Sequence, residues 1–123
     1  MMTTRSTTIS SRGAVVVVEF LFADQRGSKH RPAVVLSSAA YTDGRQEVVL
    51  AAVTSNTHRR LLPGDTLIQE LAPTELPKPS VVTGILRTVK QADVTRVLGS
   101  LSARDLRSVE DSLRDALGLA QPA

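Results

Sequence analysis

The sequence predicts a mainly β protein: a small, strongly curved β-barrel closed by one C-terminal helix. Three observations predict it. Short β-branched runs recur between turn signals, a single amphipathic pattern of helical period stands at the end, and no strand-helix alternation calls for a parallel sheet. With 123 residues, 41% hydrophobic and 22% charged, the chain is suited to one domain over residues 13–119.

Residues 1–12 are rich in Thr and Ser and lack an apolar period, so a flexible tail is expected there. Gly13 to Phe20 carries four consecutive valines, too few residues for a helix and β-branched enough for a buried strand. The polar segment Ala23 to His30, broken by Gly27, reads as an exposed loop. A strand resumes over residues 31–37, with Pro32 near its start, where a ladder donor is dispensable. Asp43-Gly44 is a turn signal, and Gln46 to Thr54 is the expected hairpin partner.

A polar loop should run to Arg60, followed by the Pro63-Gly64-Asp65 turn and a short strand over Thr66 to Gln69. Pro73, Pro77 and Pro79 mark a connection into a strand over Ser80 to Val89, and Val94 to Leu98 suits a short strand or a helical turn. The helix begins at Ser102. Asp105 three residues on makes a variant capping box, Leu101 and Leu106 occupy staple positions, and Leu106, Val109, Leu113 and Leu117 share one face. Gly118 ends it, and Glu110 with Arg114 is spaced for a solvent-side ion pair.

Composition excludes several functions. The chain has no cysteine, so disulfides, iron-sulfur clusters and thiolate zinc sites are out, and only His30 and His58 remain as nitrogen ligands. No metal site and no cofactor are expected. The apolar run Ala14 to Phe22 is interrupted by Glu19 and falls far short of the roughly 20 residues that span a bilayer. It also lacks a small-residue cleavage site, so a cytoplasmic protein is expected. The net charge is +3 with a pI near 10.0. From Ser102 onward three Arg face four acidic residues, which leaves +4 on residues 1–101 and suits a polyanionic partner. Phe20, Phe22 and Tyr41 are too few aromatics for an extended base-stacking platform.

No phosphate-binding Gly loop, zinc spacing or nucleophile elbow is present. The order of segments is more informative: Arg12-Gly13 opening the valine strand, the basic loop, His30-Arg31-Pro32-Ala33-Val34-Val35-Leu36, and VVLAAVTS over residues 48–55. These are followed by Leu62-Pro63-Gly64-Asp65, LPKPSVV over 76–82, Leu86-Arg87-Thr88 and LGSLSARDL over 98–106. Together they resemble the MazF/PemK toxins of type II toxin-antitoxin systems over roughly residues 12–119.

The resemblance implies an SH3-like barrel and a homodimer. It also implies a metal-independent endoribonuclease of the mRNA interferase type, cutting single-stranded RNA at short sequences by attack of a ribose 2′-hydroxyl on the adjacent phosphate. It places the catalytic pair on Arg31 and Thr54, with a cognate antitoxin protein as partner. A guanidinium offers fixed donors to the charge that builds on the phosphate oxygens, and a threonine hydroxyl can orient phosphate or relay a proton. Arg31 stays protonated and cannot be the free base, which leaves Thr54, a bound water or an imidazole for that part. Arg26, Ser28, Lys29, Ser55, Arg59, Arg60 and Arg87 are the candidates for holding RNA, against ordinary solvated positions. Here Lys29 follows Ser28, where the family often carries an acid. Thr83, Gly84 and Ile85 stand before Arg87, where the family often has an acidic or amide side chain. His30 adjoins Arg31 but should face the other way on a strand, and His58 sits in a polar loop. The rival reading is a non-catalytic barrel that binds protein or nucleic acid, such as a CcdB-like gyrase-directed toxin.

Overall fold

The computed structural model describes residues 11–21 and 28–120. Six strands form one antiparallel sheet: β1 (Ala14–Leu21), β2 (Ser28–Val35), β3 (Glu47–Thr54), β4 (Thr66–Leu67), β5 (Val81–Lys90) and β6 (Val94–Ser100). Their order is β4-β5-β3-β2-β1-β6, with helix α1 (Ala39–Arg45) between β2 and β3 and helix α2 (Ala103–Leu117) at the end. The ladder does not close, since β4 and β6 remain its two edges. The 3-10 turn Ala72–Thr74 that follows β4 packs on β6 at Gly99, where a Cβ would run into the carbonyl of Pro73. That segment bridges the open side of the curved sheet.

Strand alternation sorts the apolar residues into two cores. Val15, Val34, Ala51, Val53 and Val82 join Ile68, Leu76 and Leu101 under α2, which contributes Val109, Leu106 and Leu113. Val16, Val18, Ala33, Val35, Val48 and Leu50 form the second, against Val89, Val94 and Val97. The run of valines near the N-terminus therefore feeds both sides of the sheet, which explains its unbroken apolar character.

Several elements depart from the sequence reading. The connection between β2 and β3 is a helix and not a tight hairpin: Ser38 caps α1 by accepting from the Tyr41 amide, and Asp43-Gly44 lies within it. Gln46 ends it in the left-handed region (φ 56°), its amide donating to the Thr42 carbonyl. β2 begins at Ser28, so the expected loop ends earlier, and β6 resolves the ambiguous segment as a strand. Residues 1–10 of the expected tail lie outside the described residues. Arg12, at its end, is held: its Nε donates to the Leu36 carbonyl at 3.0 Å and its guanidinium meets Glu110 at 2.6 Å. The expected Glu110–Arg114 pair gives way to that contact and to Arg114–Asp111 at 3.2 Å. Leu117, expected on the apolar face of α2, is 56% exposed.

The α2 N-terminus is capped as expected, Ser102 Oγ accepting from the Asp105 amide at 3.1 Å. The Asp105 carboxylate does more than close a box. It is buried and accepts from the amides of Gln69 (3.2 Å) and Glu70 (2.9 Å), tying α2 to the segment that leaves β4.

Candidate functional site

Two strands that stop pairing make the site. The β2–β3 ladder runs Ala33↔Ala52, Val34↔Ala51, Val35↔Leu50, and it ends at Ala33 because the next residue, Pro32, has no N–H to give. Arg31 and Thr54 each lie two residues beyond that last pair. Both line one cavity of about 460 Å³ between the separating strand ends. Thr54 Oγ1 accepts from the Asn56 amide at 3.1 Å, which fixes the hydroxyl where β3 turns into its loop.

The remaining walls come from two segments distant in sequence. β5 supplies Ile85 and Arg87, and the stretch before β5 supplies Leu76, Pro77, Lys78 and Ser80. Arg31, Lys78 and Arg87 thus converge on the cavity, and no carboxylate among the described residues lines it. Three cations around a concave, partly apolar space favour an anion that carries an apolar body, the description of a nucleotide.

A bulge sets the β5 wall. Between Ala51↔Leu86 and Val53↔Val82, β5 contains two more residues than β3, so Thr83-Gly84-Ile85 bow out opposite Ala52. Thr83 Oγ1 donates to the Ala52 carbonyl at 2.7 Å and accepts from the Ile85 amide at 3.1 Å. The Gly84 amide donates to Asp65 Oδ1 at 2.9 Å, and a Cβ at Gly84 would lie 2.7 Å from the Pro63 carbonyl oxygen. The Pro63-Gly64-Asp65 turn therefore backs the bulge directly.

Asp65 is the anchor of that turn. Burial pushes its carboxyl up, but the amides of Leu62 and Gly84 and the Arg59 guanidinium outweigh this and hold it below the usual carboxylate range. Arg59 Nη1 lies 3.0 Å from Asp65 Oδ2, so Arg59 is engaged within the fold and does not line the cavity.

Of the residues singled out from the sequence, Arg31, Thr54, Ser55 and Arg87 come together on the cavity. Ser28 and Lys29 open β2, three and two residues before Arg31. Arg60 is exposed beside Arg59 and off the cavity wall, and Arg26 lies outside the described residues. His30 and His58 are exposed, and neither lines the cavity. Lys78 and Ile85 were missed as contributors, because only the tertiary path of β5 brings them to β2. The flanking Pro77 and Pro79 were the available signal for Lys78, since they hold it on a rigid stretch. Among the described residues no three His, Asp or Glu side chains gather as metal ligands, and no helix is long and apolar enough to cross a membrane.

A family model described as PemK-like, MazF-like toxin of type II toxin-antitoxin system matches residues 11–117. The chain belongs to this family. Among solved structures, the Form-II MazE-MazF crystal structure from Deinococcus radiodurans is similar to this toxin, with a TM-score of 0.73 at 25% identity. It covers 93% of this chain and 100% of that one. The Form-III MazE-MazF structure from the same organism gives 0.71 at 26%, over 92% and 100%. A structure named "Endoribonuclease from Mycobacterial species" shares the fold at a TM-score of 0.71 and 20% identity, over 94% and 97%. No curated protein matches the chain. The toxin has the MazF-like fold anticipated from its motifs, as an open, curved antiparallel sheet with a C-terminal helix.

Proposed function

We propose that this toxin is an endoribonuclease that cuts single-stranded RNA within the cavity between β2, β3 and β5, without a metal ion. The observation that supports the reading is that Arg31 and Thr54 line the same cavity, with Lys78 and Arg87 also on its walls. Family membership supports it, as do the similar structures described as endoribonucleases and as MazE-MazF complexes.

The chemistry follows from the side chains. The 2′-oxygen attacks the adjacent phosphorus, the bond from phosphorus to the 5′-oxygen of the next nucleotide breaks, and the 2′-proton is lost as the 5′-oxygen gains one. The products are a 2′,3′-cyclic phosphate and a 5′-hydroxyl end. Negative charge grows on the non-bridging oxygens, and the Arg31 guanidinium donates to them. Thr54, its oxygen already fixed by the Asn56 amide, keeps its own proton to donate to a phosphate oxygen or to pass on. Arg87 and Lys78 hold the flanking phosphates. Thr54, a bound water or an imidazole is the route for the 2′-proton.

The partner is a cognate antitoxin, as in the similar structure of an endoribonuclease in complex with its antitoxin, and its acidic or apolar tail would compete with RNA for the same cations. The working form is a homodimer in the cytoplasm. The test is incubation with long, mixed-sequence single-stranded RNA in excess EDTA. Discrete cuts leaving cyclic phosphates support the reading, whereas retained toxicity without cleavage would move it to a gyrase-directed toxin.

A further inference from the structure

We infer that Ile85 is the platform on which one nucleobase beside the scissile phosphate rests, and that this subsite grips its base by apolar contact without selecting its identity. The inference rests on the endoribonuclease reading above and names how one position of the substrate is held.

Ile85 is 56% exposed and, unlike the other large aliphatic side chains exposed to a similar degree among the described residues, it lines the cavity. The bulge is what presents it. The Thr83 hydroxyl is spent on the Ala52 carbonyl and the Ile85 amide, and the Gly84 amide is spent on Asp65. Thr83 is itself buried, and Gly84 can carry no side chain against the Pro63 carbonyl. Over these three residues the apolar side chain of Ile85 is what the wall offers to a ligand.

The neighbouring surface is of the same character, with Leu76, Pro77, Pro32 and Ala52 around the cavity. Arg31, Lys78 and Arg87 frame it with positive charge. The occupant that satisfies both is a nucleotide, its phosphate on the cations and its base flat against Ile85 and the proline-rich wall. Every base has a flat, polarizable face, so dispersion and desolvation hold all four, purines somewhat more than pyrimidines, without reading the base edges. Recognition by hydrogen bonds to base edges must come from other positions of the motif.

The experiment is a coupling cycle between Ile85→Ala and removal of single bases. Short RNA substrates built on the mapped cut site carry an abasic nucleotide at each position in turn, and kcat/KM is measured for wild type and variant. At one position next to the cut, losing the base should cost the wild type about fivefold, the order expected for a few carbons withdrawn from contact. The same loss should cost Ile85→Ala almost nothing, and exchanging the four bases there should change the wild-type rate little. Ile85→Leu should restore the coupling, and thermal melts should show both variants folded, as the side chain is largely exposed. Independent effects at every position, or a strong base preference at the coupled one, would overturn the inference. Wild-type protein that cuts no RNA would overturn the endoribonuclease reading itself.

Discussion

Arg31 and Thr54 lie 23 residues apart in sequence and come to line one cavity just past the last β2–β3 pair, Ala33↔Ala52. Their shared place on the cavity has a kinetic consequence under the proposed function. Arg31→Ala and Thr54→Ala should each lower RNA cleavage by about 10²-fold or more, as loss of one charge-stabilising donor does, while circular dichroism and melting stay near wild type. Arg31→Lys should recover little, because an ammonium cannot reproduce the planar fork. Lys78 lines the same cavity and, under the proposed function, would act as a point charge on a flanking phosphate. Lys78→Ala should weaken RNA binding broadly across sequences, and the slope of log K against log salt should shrink by roughly 0.7, the value for one contact to a single strand. A salt slope identical to wild type would remove Lys78 from the site. Arg31 and Thr54, the proposed catalytic pair, could be singled out from the sequence because they sit in motifs of the family, Arg before Pro and Thr at a strand end, and both line the cavity. Lys78 and Ile85 were not, since their place depends on where β5 runs after the proline-rich connection.

Elements show where local signals mislead. Asp43-Gly44 carries the composition of a hairpin turn, yet the preceding Ser38 cap and Ala39-Ala40 carry the chain into α1 before the dipeptide is reached. The capping hydrogen bond outweighs the turn propensity. Arg59 is singled out in the sequence by its basic pair with Arg60, and its ion pair with Asp65 becomes visible only in the folded loop. That loop is the support of the β5 bulge. Asp65→Ala should strip a buried acceptor from the Leu62 and Gly84 amides and from Arg59, destabilising the fold by about 1–3 kcal/mol and lowering Tm by several degrees. Because the folded-state pKa of Asp65 lies below its ordinary value of 3.8, its stabilisation is complete above that value and is lost as pH falls through the depressed one. Below about pH 4 the gap between wild type and Asp65→Asn should therefore narrow, and an unchanged gap in denaturant titrations would contradict the assignment. Gly84→Ala should also loosen the bulge, since its Cβ would press on two backbone atoms of the turn, Pro63 O at 2.7 Å and Gly64 Cα at 3.1 Å.

For the molecule as a whole, the antiparallel architecture and the terminal helix could be read from β-branched runs, turn residues and the Ser102 cap, because those signals are local. The closure of the open side by the Ala72–Thr74 turn on Gly99, and the clasp of Asp105 on the Gln69 and Glu70 amides, join segments some 25 to 36 residues apart and leave no sequence period behind. Asp105→Ala tests that clasp: it should cost about 1–3 kcal/mol of stability by denaturant unfolding, well beyond a lost helix cap charge, because two partly buried amides lose their acceptor. The central claim concerns the cavity that this frame holds open. Its most direct test is end-mapping of a long mixed-sequence single-stranded RNA incubated with the purified toxin in excess EDTA, beside Arg31→Ala. Cuts at one short motif with 2′,3′-cyclic phosphate ends, absent from the variant, are the expected result; uncut RNA, or equal cutting by Arg31→Ala, would contradict it.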